Sequence, residues 1–392
     1  MPVNSELQWE TQQISYNALD STRVNIPSEV YDVIIDHLHD DLNALLECSI
    51  VCRAWLPTTR LHLFREIRFN ALALPASFSA MLYSPGSTVS PSHIKKITIN
   101  LWECRDQLNK EEFLWASSIT SLRLHDIRFS SELWEDSSDT DYDYASQIEA
   151  LKHIFSHIKC LNLSDGYFNT PSLLLELTES FPSVHNLTLR QLYFDAIEWP
   201  GHAGPHRLPT GLHTLDVSSG IRLYDLEHII RDSPLRSIRL GRVVGGSSCN
   251  YVANIIRSFG TNLEHISLED FNYPNQVSLL SQSVKLRSIH IMNLQLDERV
   301  EYRWVNPLKW ASTLLDQVTS TCMEELLFEI IPARFEEMEG LDWDSLASAL
   351  EKKPYRTLNR IQFNVPHWKL KTYCLIAERL PQWASQNIIK VI

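Results

Sequence analysis

The sequence predicts an α/β protein: a short helical module at its start, followed by a curved solenoid with a parallel sheet on its inner face. Three observations point there. A six-residue pattern, apolar-x-x-apolar-x-apolar, recurs from Ile94 to the end of the chain at an average spacing of about 29 residues. Amphipathic helical stretches separate several of its copies. Upstream, residues 24 to 67 read as three short helices that carry more apolar surface than they can cover among themselves.

In chain order, the start "MPVNSELQWETQQ" lacks the basic and apolar stretches of a secretory signal, and residues 1–23 read as a flexible segment. Helix one is expected from Pro27 to His39, with Pro27 in its first turn and Glu29 at the positive end of its dipole. Asp40 or Asp41 caps a second helix that runs to about Leu56, where Pro57 stops it. On this second helix apolar residues, including Leu42, Leu45, Leu46, Ile50, Val51 and Trp55, spread around an arc of about 260°, far wider than an ordinary surface helix needs. The following domain, another protein or both must cover the remainder. Cys48 and Cys52 then read as small core residues, since His62 alone does not complete a zinc site.

The stretch "IPSEVYDVIIDHL…DLNALLECSIVCRAWLPTTRLHLFREI" resembles an F-box, in the version common among mushroom-forming (basidiomycete) fungi. Ile26-Pro27 stands for the opening Leu-Pro, and Val30, Ile34 and Leu38 follow at helical spacing. Leu45, Val51, Cys52, Arg53 and Trp55 match the "L…V-C-R-x-W" core, and Phe64 takes the closing aromatic position. The resemblance implies docking on the Skp-type adaptor of a cullin-RING ubiquitin ligase. It makes Ile26, Pro27, Val30, Ile34, Leu38, Leu45, Val51, Cys52, Trp55 and Phe64 the expected adaptor contacts.

Residues 68–93 are expected to form a linker or cap, and 94–392 the solenoid. Taking the fourth residue of each copy as marker gives Ile97, Leu122, Leu161, Leu187, Leu215, Ile238, Ile266, Ile289, Leu326, Ile361 and Ile389. The period resembles that of the longer leucine-rich repeats, and the pattern resembles the C-terminal halves of the same fungal proteins, as does "LDWDSLASALEKKPYRTLNRIQF". Helices are expected at "SQIEALKHIF", "SLLLEL", "YDLEHIIR", "YVANIIRSF" and "WASTLLDQV". The position after the strand holds Asp126, Asp165, Gln191, Arg242, Asp270 and Asn293 in place of a regular Asn, so uneven turns are expected. Two long loops are expected: "ELWEDSSDTDYDY" at 132–144, too acidic to pack and carrying Ser137, Ser138 and Thr140 as possible phosphorylation sites, and "WPGHAGPHRLP" at 199–209. Gly and Pro between His202 and His206 argue against a metal pair there.

The formal net charge of −13 and the lack of clustered Lys and Arg disfavour a general nucleic-acid binder. No segment approaches the roughly 20 apolar residues of a membrane helix, and seven scattered cysteines without a C-x-x-C pair suit a reducing compartment, cytoplasmic or nuclear. No H-E-x-x-H or G-x-S-x-G occurs, and "GRVVGGSSCN" lacks the Lys of a phosphate loop, so no enzyme activity, cofactor or metal is expected. On the sheet, alternate residues facing away from the core include Arg190, Asp216, Arg239, His265 and His290, which are either a recognition field for a target protein or a plain solvated face. The reading is a substrate receptor of a Skp-cullin-F-box ligase, with an F-box interaction protein acting outside ubiquitin ligation as the alternative.

Overall fold

The computed structural model describes residues 27–70, 75–104, 108, 110–129, 144–195, 207–217, 221, 226, 229–230, 235–241, 248–269, 279–296 and 306–392. The chain divides into two compact units at Phe64 and Arg65.

Among the described residues the first unit holds three helices, α1 (Ser28–His37), α2 (Leu42–Val51) and α3 (Leu56–Leu63). Asp41 caps α2, its carboxylate accepting from the Ala44 amide at 3.0 Å. The expected single helix from 41 to 56 is two: α2 stops at Val51, the chain extends at Cys52, and Pro57 sits in the first turn of α3. A proline lacks the amide that a first turn leaves unpaired anyway, so it opens this helix instead of ending the previous one. Cys48 is buried as expected, whereas Cys52 lies beyond the helix end and is exposed.

In the second unit twelve strands form one parallel sheet among the described residues: β1 (Glu66–Phe69), β2 (Lys96–Asn100), β3 (Ser121–Phe129), β4 (Cys160–Phe168), β5 (Asn186–Phe194), β6 (Thr214–Val217), β7 (Ser237–Leu240), β8 (His265–Glu269), β9 (Ser288–Gln295), β10 (Glu325–Ile331), β11 (Arg360–Asn364) and β12 (Ile389–Val391). They lie in sequence order, each pairing with the next, which is a leucine-rich-repeat-like α/β solenoid. The eleven predicted markers fall one per strand in β2 to β12, with 6% or less of each side chain exposed, and they pair with one another across the sheet, Leu122 with Leu161 and Leu161 with Leu187, for example. The sheet begins one strand earlier than expected: Ile67 of β1 pairs with Ile97, inside the stretch read as module end and linker.

Helices α4 (Pro75–Leu82), α5 (Tyr144–Phe155), α6 (Pro171–Glu179), α7 (Ser248–Phe259) and α8 (Pro307–Leu315) connect strands. The long step from β10 to β11 takes up α9 (Phe335–Glu339) and α10 (Trp343–Leu350), and α11 (Lys369–Arg379) with α12 (Pro381–Ser385) lead to β12. Of "YDLEHIIR" only Leu226, Ile229 and Ile230 are described, all buried. The expected segment 1–23, the acidic stretch 132–143, the loop with His202 and His206, and Arg242 and Asp270 lie outside the described residues.

The strand ends are more regular than their residue types suggest. Asp126, Asp165, Gln191 and Asn293, each four residues after its marker, all adopt left-handed backbone with φ between 51° and 58°. This residue resets the side-chain alternation: Leu122 and Leu124 point inward, His125 and Asp126 do not, and Ile127 and Phe129 return to the core. At the equivalent place in β4 only Gly166 fits, because a Cβ there would lie 2.7 Å from Leu192 Cδ2 and 2.8 Å from Phe168 Cε2.

Candidate functional site

Two surfaces stand out, one in each unit. In the first unit the core is small: Ile35, Leu45, Cys48 and Thr59 are buried. Thr58 Oγ1 donates to Asp32 Oδ1, and His62 Nε2 lies 2.7 Å from Asp36 Oδ1, so α3 is tied to α1 by two polar contacts. The Tyr31 and Trp55 rings meet at 5.6 Å. His62 is thereby engaged with a carboxylate of its own unit.

Among the described residues of this unit, eight large apolar side chains remain between 39% and 84% exposed: Val30, Val33 and Ile34 on α1, Leu42, Leu46, Ile50 and Val51 on α2, and Leu61 on α3. Their spacing makes stripes, i, i+3, i+4 on α1 and i, i+4, i+8 on α2. A small unit has little reason to keep such stripes in water unless something covers them.

Of the expected adaptor contacts, Pro27, Val30, Ile34, Val51 and Cys52 are exposed, while Leu38, Trp55 and Phe64 are half-buried. Leu45 is corrected: at 1% exposure it belongs to the interior, since the turn that points Leu42 and Leu46 outward points Leu45 inward. Ile26 lies outside the described residues. Val33, Leu42, Leu46, Ile50 and Leu61 were not among the expected contacts, although the spacing of Leu42, Leu46 and Ile50 already marks a stripe.

On the sheet the strand register settles which polar residues are neighbours. One row runs Arg123, Asn162, Thr188, Asp216, Arg239, Ser267 and His290 across β3 to β9. Arg190 lies two residues further along its strand, opposite Ser164, and His265 two residues earlier, opposite Ser237 and Ser288. The five expected target residues therefore share a face but occupy three adjacent rows.

Three of them meet. Arg190, Asp216 and Arg239, with Arg123, Asn162, Ser164, Asp165, Gln191 and Glu269, line a cavity of about 470 Å³ in which every lining residue is polar. Arg190 Nη2 is 3.8 Å from Asp216 Oδ2, and Arg239 Nη2 is 3.1 Å from Glu269 Oε2. Burial pushes the Asp216 carboxyl above its ordinary value, against the opposing pull of Arg239 and Arg190. His265 and His290 lie outside this lining: His265 Nδ1 is 2.8 Å from Ser288 Oγ, and His290 Nε2 is 3.9 Å from Glu325 Oε2. Burial holds the His290 imidazole below its usual value, although Glu325 pulls the other way.

Among the described residues no group of three or more His, Cys, Asp or Glu side chains is placed to hold a metal ion, and no helix is long and apolar enough to cross a membrane.

Neither protein-family models nor the sequences of curated proteins give a match. Among solved structures the chain is similar to the leucine-rich repeat-containing protein LegL7 from Legionella pneumophila, at 14% identity and a TM-score of 0.44, over 81% of this chain and 98% of that one. It is also similar to a chain of the Rad7 and Elc1 complex in yeast, at 12% identity and a TM-score of 0.31, over 87% of this chain and 90% of that one. Both scores fall below 0.5, and the fold assignment rests on the order and register of the twelve strands.

Proposed function

We propose that the chain is the substrate-recognition subunit of a Skp-cullin-F-box ubiquitin ligase, with its first unit docking on the Skp-type adaptor and its sheet face holding a target protein. The observation that carries this is the pair of apolar stripes on α1 and α2, left exposed within the stretch whose residues resemble an F-box. Burying eight such side chains against a partner is worth several kcal/mol at about 25 cal/mol per Å², ample for a specific interface. The sheet face suits the second role, because its exposed rows are polar and mixed in charge, which fits a protein surface better than a polyanion.

In this reading the chain makes and breaks no bonds. It raises the rate of ubiquitin transfer by holding the target beside the charged ligase, turning a bimolecular encounter into one at high effective concentration.

The test is reconstitution with a recombinant Skp-type adaptor and cullin. Capture of both by the full chain supports the ligase reading. Capture of the adaptor alone transfers the chain to the alternative, an F-box protein acting outside ubiquitin ligation. No capture of the adaptor overturns both.

A further inference from the structure

Within the sheet-face cavity the charges are not evenly compensated. On the β6 to β8 side Arg239 is held by Glu269 at 3.1 Å and Asp216 stands beside it, so the charges there are matched, although the buried Arg239 Nε has no hydrogen-bond partner among the described residues. The β3 to β5 side differs. The side chains of Arg123, Asn162 and Ser164 make no ion pair or hydrogen bond within the described residues; Arg123 has the longer-range attraction of Glu66, and Arg190 the 3.8 Å approach of Asp216. Asp165, the carboxylate on that side, is exposed to solvent and correspondingly screened.

The geometry of these four residues is that of a cradle. Asn162 and Ser164 project from β4, and the two guanidinium groups come from the flanking strands β3 and β5. With strands about 4.8 Å apart and a two-residue offset, the Arg123 and Arg190 Cα atoms are about 12 Å apart, a gap that two arginine side chains close from both sides. Two guanidinium groups, an amide and a hydroxyl then converge over one strand, which is the donor set that an oxygen anion needs.

Two further features define the ligand. No apolar residue lines the cavity, unlike the mostly apolar sites that take small molecules. Two residues beyond Asp165 and Gln191, the exposed Tyr167 and Tyr193 rings stack at 5.1 Å, an apolar shelf for whatever follows the charged group. An isolated ion has no use for such a shelf; a peptide does.

We infer that Arg123, Asn162, Ser164 and Arg190 bind one negatively charged, oxygen-bearing side chain, carboxylate or phosphate, of an extended peptide segment, with Tyr167 and Tyr193 packing against the residues beside it. This deepens the receptor reading, on which it rests, by stating what the target presents. Asp216 competes for Arg190 and limits the affinity.

The experiment uses the purified full chain without adaptor and four peptide libraries, each with one fixed central residue, glutamate, phosphoserine, glutamine or lysine, amid random positions. The glutamate series, the phosphoserine series or both should be retained at least about tenfold over glutamine and lysine, the scale of one charge-assisted hydrogen bond, and their order identifies the source of the anion. Arg123→Gln and Ser164→Ala should lower that preference at an unchanged unfolding temperature, and Asp216→Asn should raise it while the chain stays folded. Equal retention of the four series, no retention at all, or a preference that survives Arg123→Gln in a folded protein would overturn the inference. If Arg123→Gln does not fold, the opposite shifts in Ser164→Ala and Asp216→Asn carry the test. Because no adaptor is present, these outcomes are separate from the reconstitution that tests the ligase reading.

Discussion

Leu45 and Ile50 stand five residues apart on α2 and should fail in opposite ways when cut to alanine. Ile50 is 84% exposed and Leu45 1% exposed. Burying an isoleucine side chain is worth about 1.5–3 kcal/mol, and the free chain has gained almost none of that for Ile50. Covered by an adaptor, it contributes about 2 kcal/mol to binding, so Ile50→Ala should weaken adaptor affinity about 30-fold at 1.4 kcal/mol per decade. Folding should change by less than about 0.5 kcal/mol, as for most surface substitutions. Leu45→Ala should instead cost about 2–5 kcal/mol of stability through lost transfer energy and a residual cavity. Titration calorimetry against the recombinant adaptor, with thermal unfolding of each variant, separates the two effects. Affinity within threefold of the parent for Ile50→Ala, in a chain that binds adaptor, would refute the assignment of the α2 stripe to the interface.

Two other outcomes follow from packing and charge. Gly166→Ala should destabilise the sheet by about 1–3 kcal/mol, seen as a lower denaturation midpoint, because the new methyl meets Leu192 and Phe168 at under 3 Å; an unchanged midpoint would show that the strands yield freely there. Asp216 has a raised folded-state value, so its ionised form costs stability above that value, and the cost disappears as pH falls below the ordinary aspartate value of about 4. Wild type should therefore gain stability relative to Asp216→Asn between pH 7 and pH 4, and a pH-independent difference in urea midpoints would contradict the sign of the shift.

The strands were legible because each needs only two inward residues two apart, and the signal repeats. The first strand escaped for a specific reason: Phe64, Ile67 and Phe69 have the same spacing as every other copy, but Phe64 also completes the F-box-like stretch and was assigned there. The left-handed position was visible only as a scatter of residue types. Asp and Asn tolerate that backbone and Gln191 less so, and the common conformation is imposed by the core residues on either side. The cradle could not be read from sequence, because which arginine faces which carboxylate depends on register across strands, where a shift of one residue reverses the face. Arg123 follows its marker Leu122, which puts it on the outward face, but that it has no close ion pair became visible only once its row was known.

The strictly sequential strand order also determines how the second unit gains and loses structure in time. Within the sheet each strand pairs only with its neighbours in sequence order, and the chain between paired markers runs from 23 residues, Leu215 to Ile238, to 39, Leu122 to Leu161. Closing loops of these lengths differs in cost by under about 0.5 kcal/mol, so no single pairing is a much slower step than its neighbours. Ordered structure can start at any adjacent pair and grow both ways. A pulling force applied at the Ile392 end should peel β12, then β11, then β10, giving a sawtooth of small steps where a sheet closed by distant pairings would resist and then rupture at once.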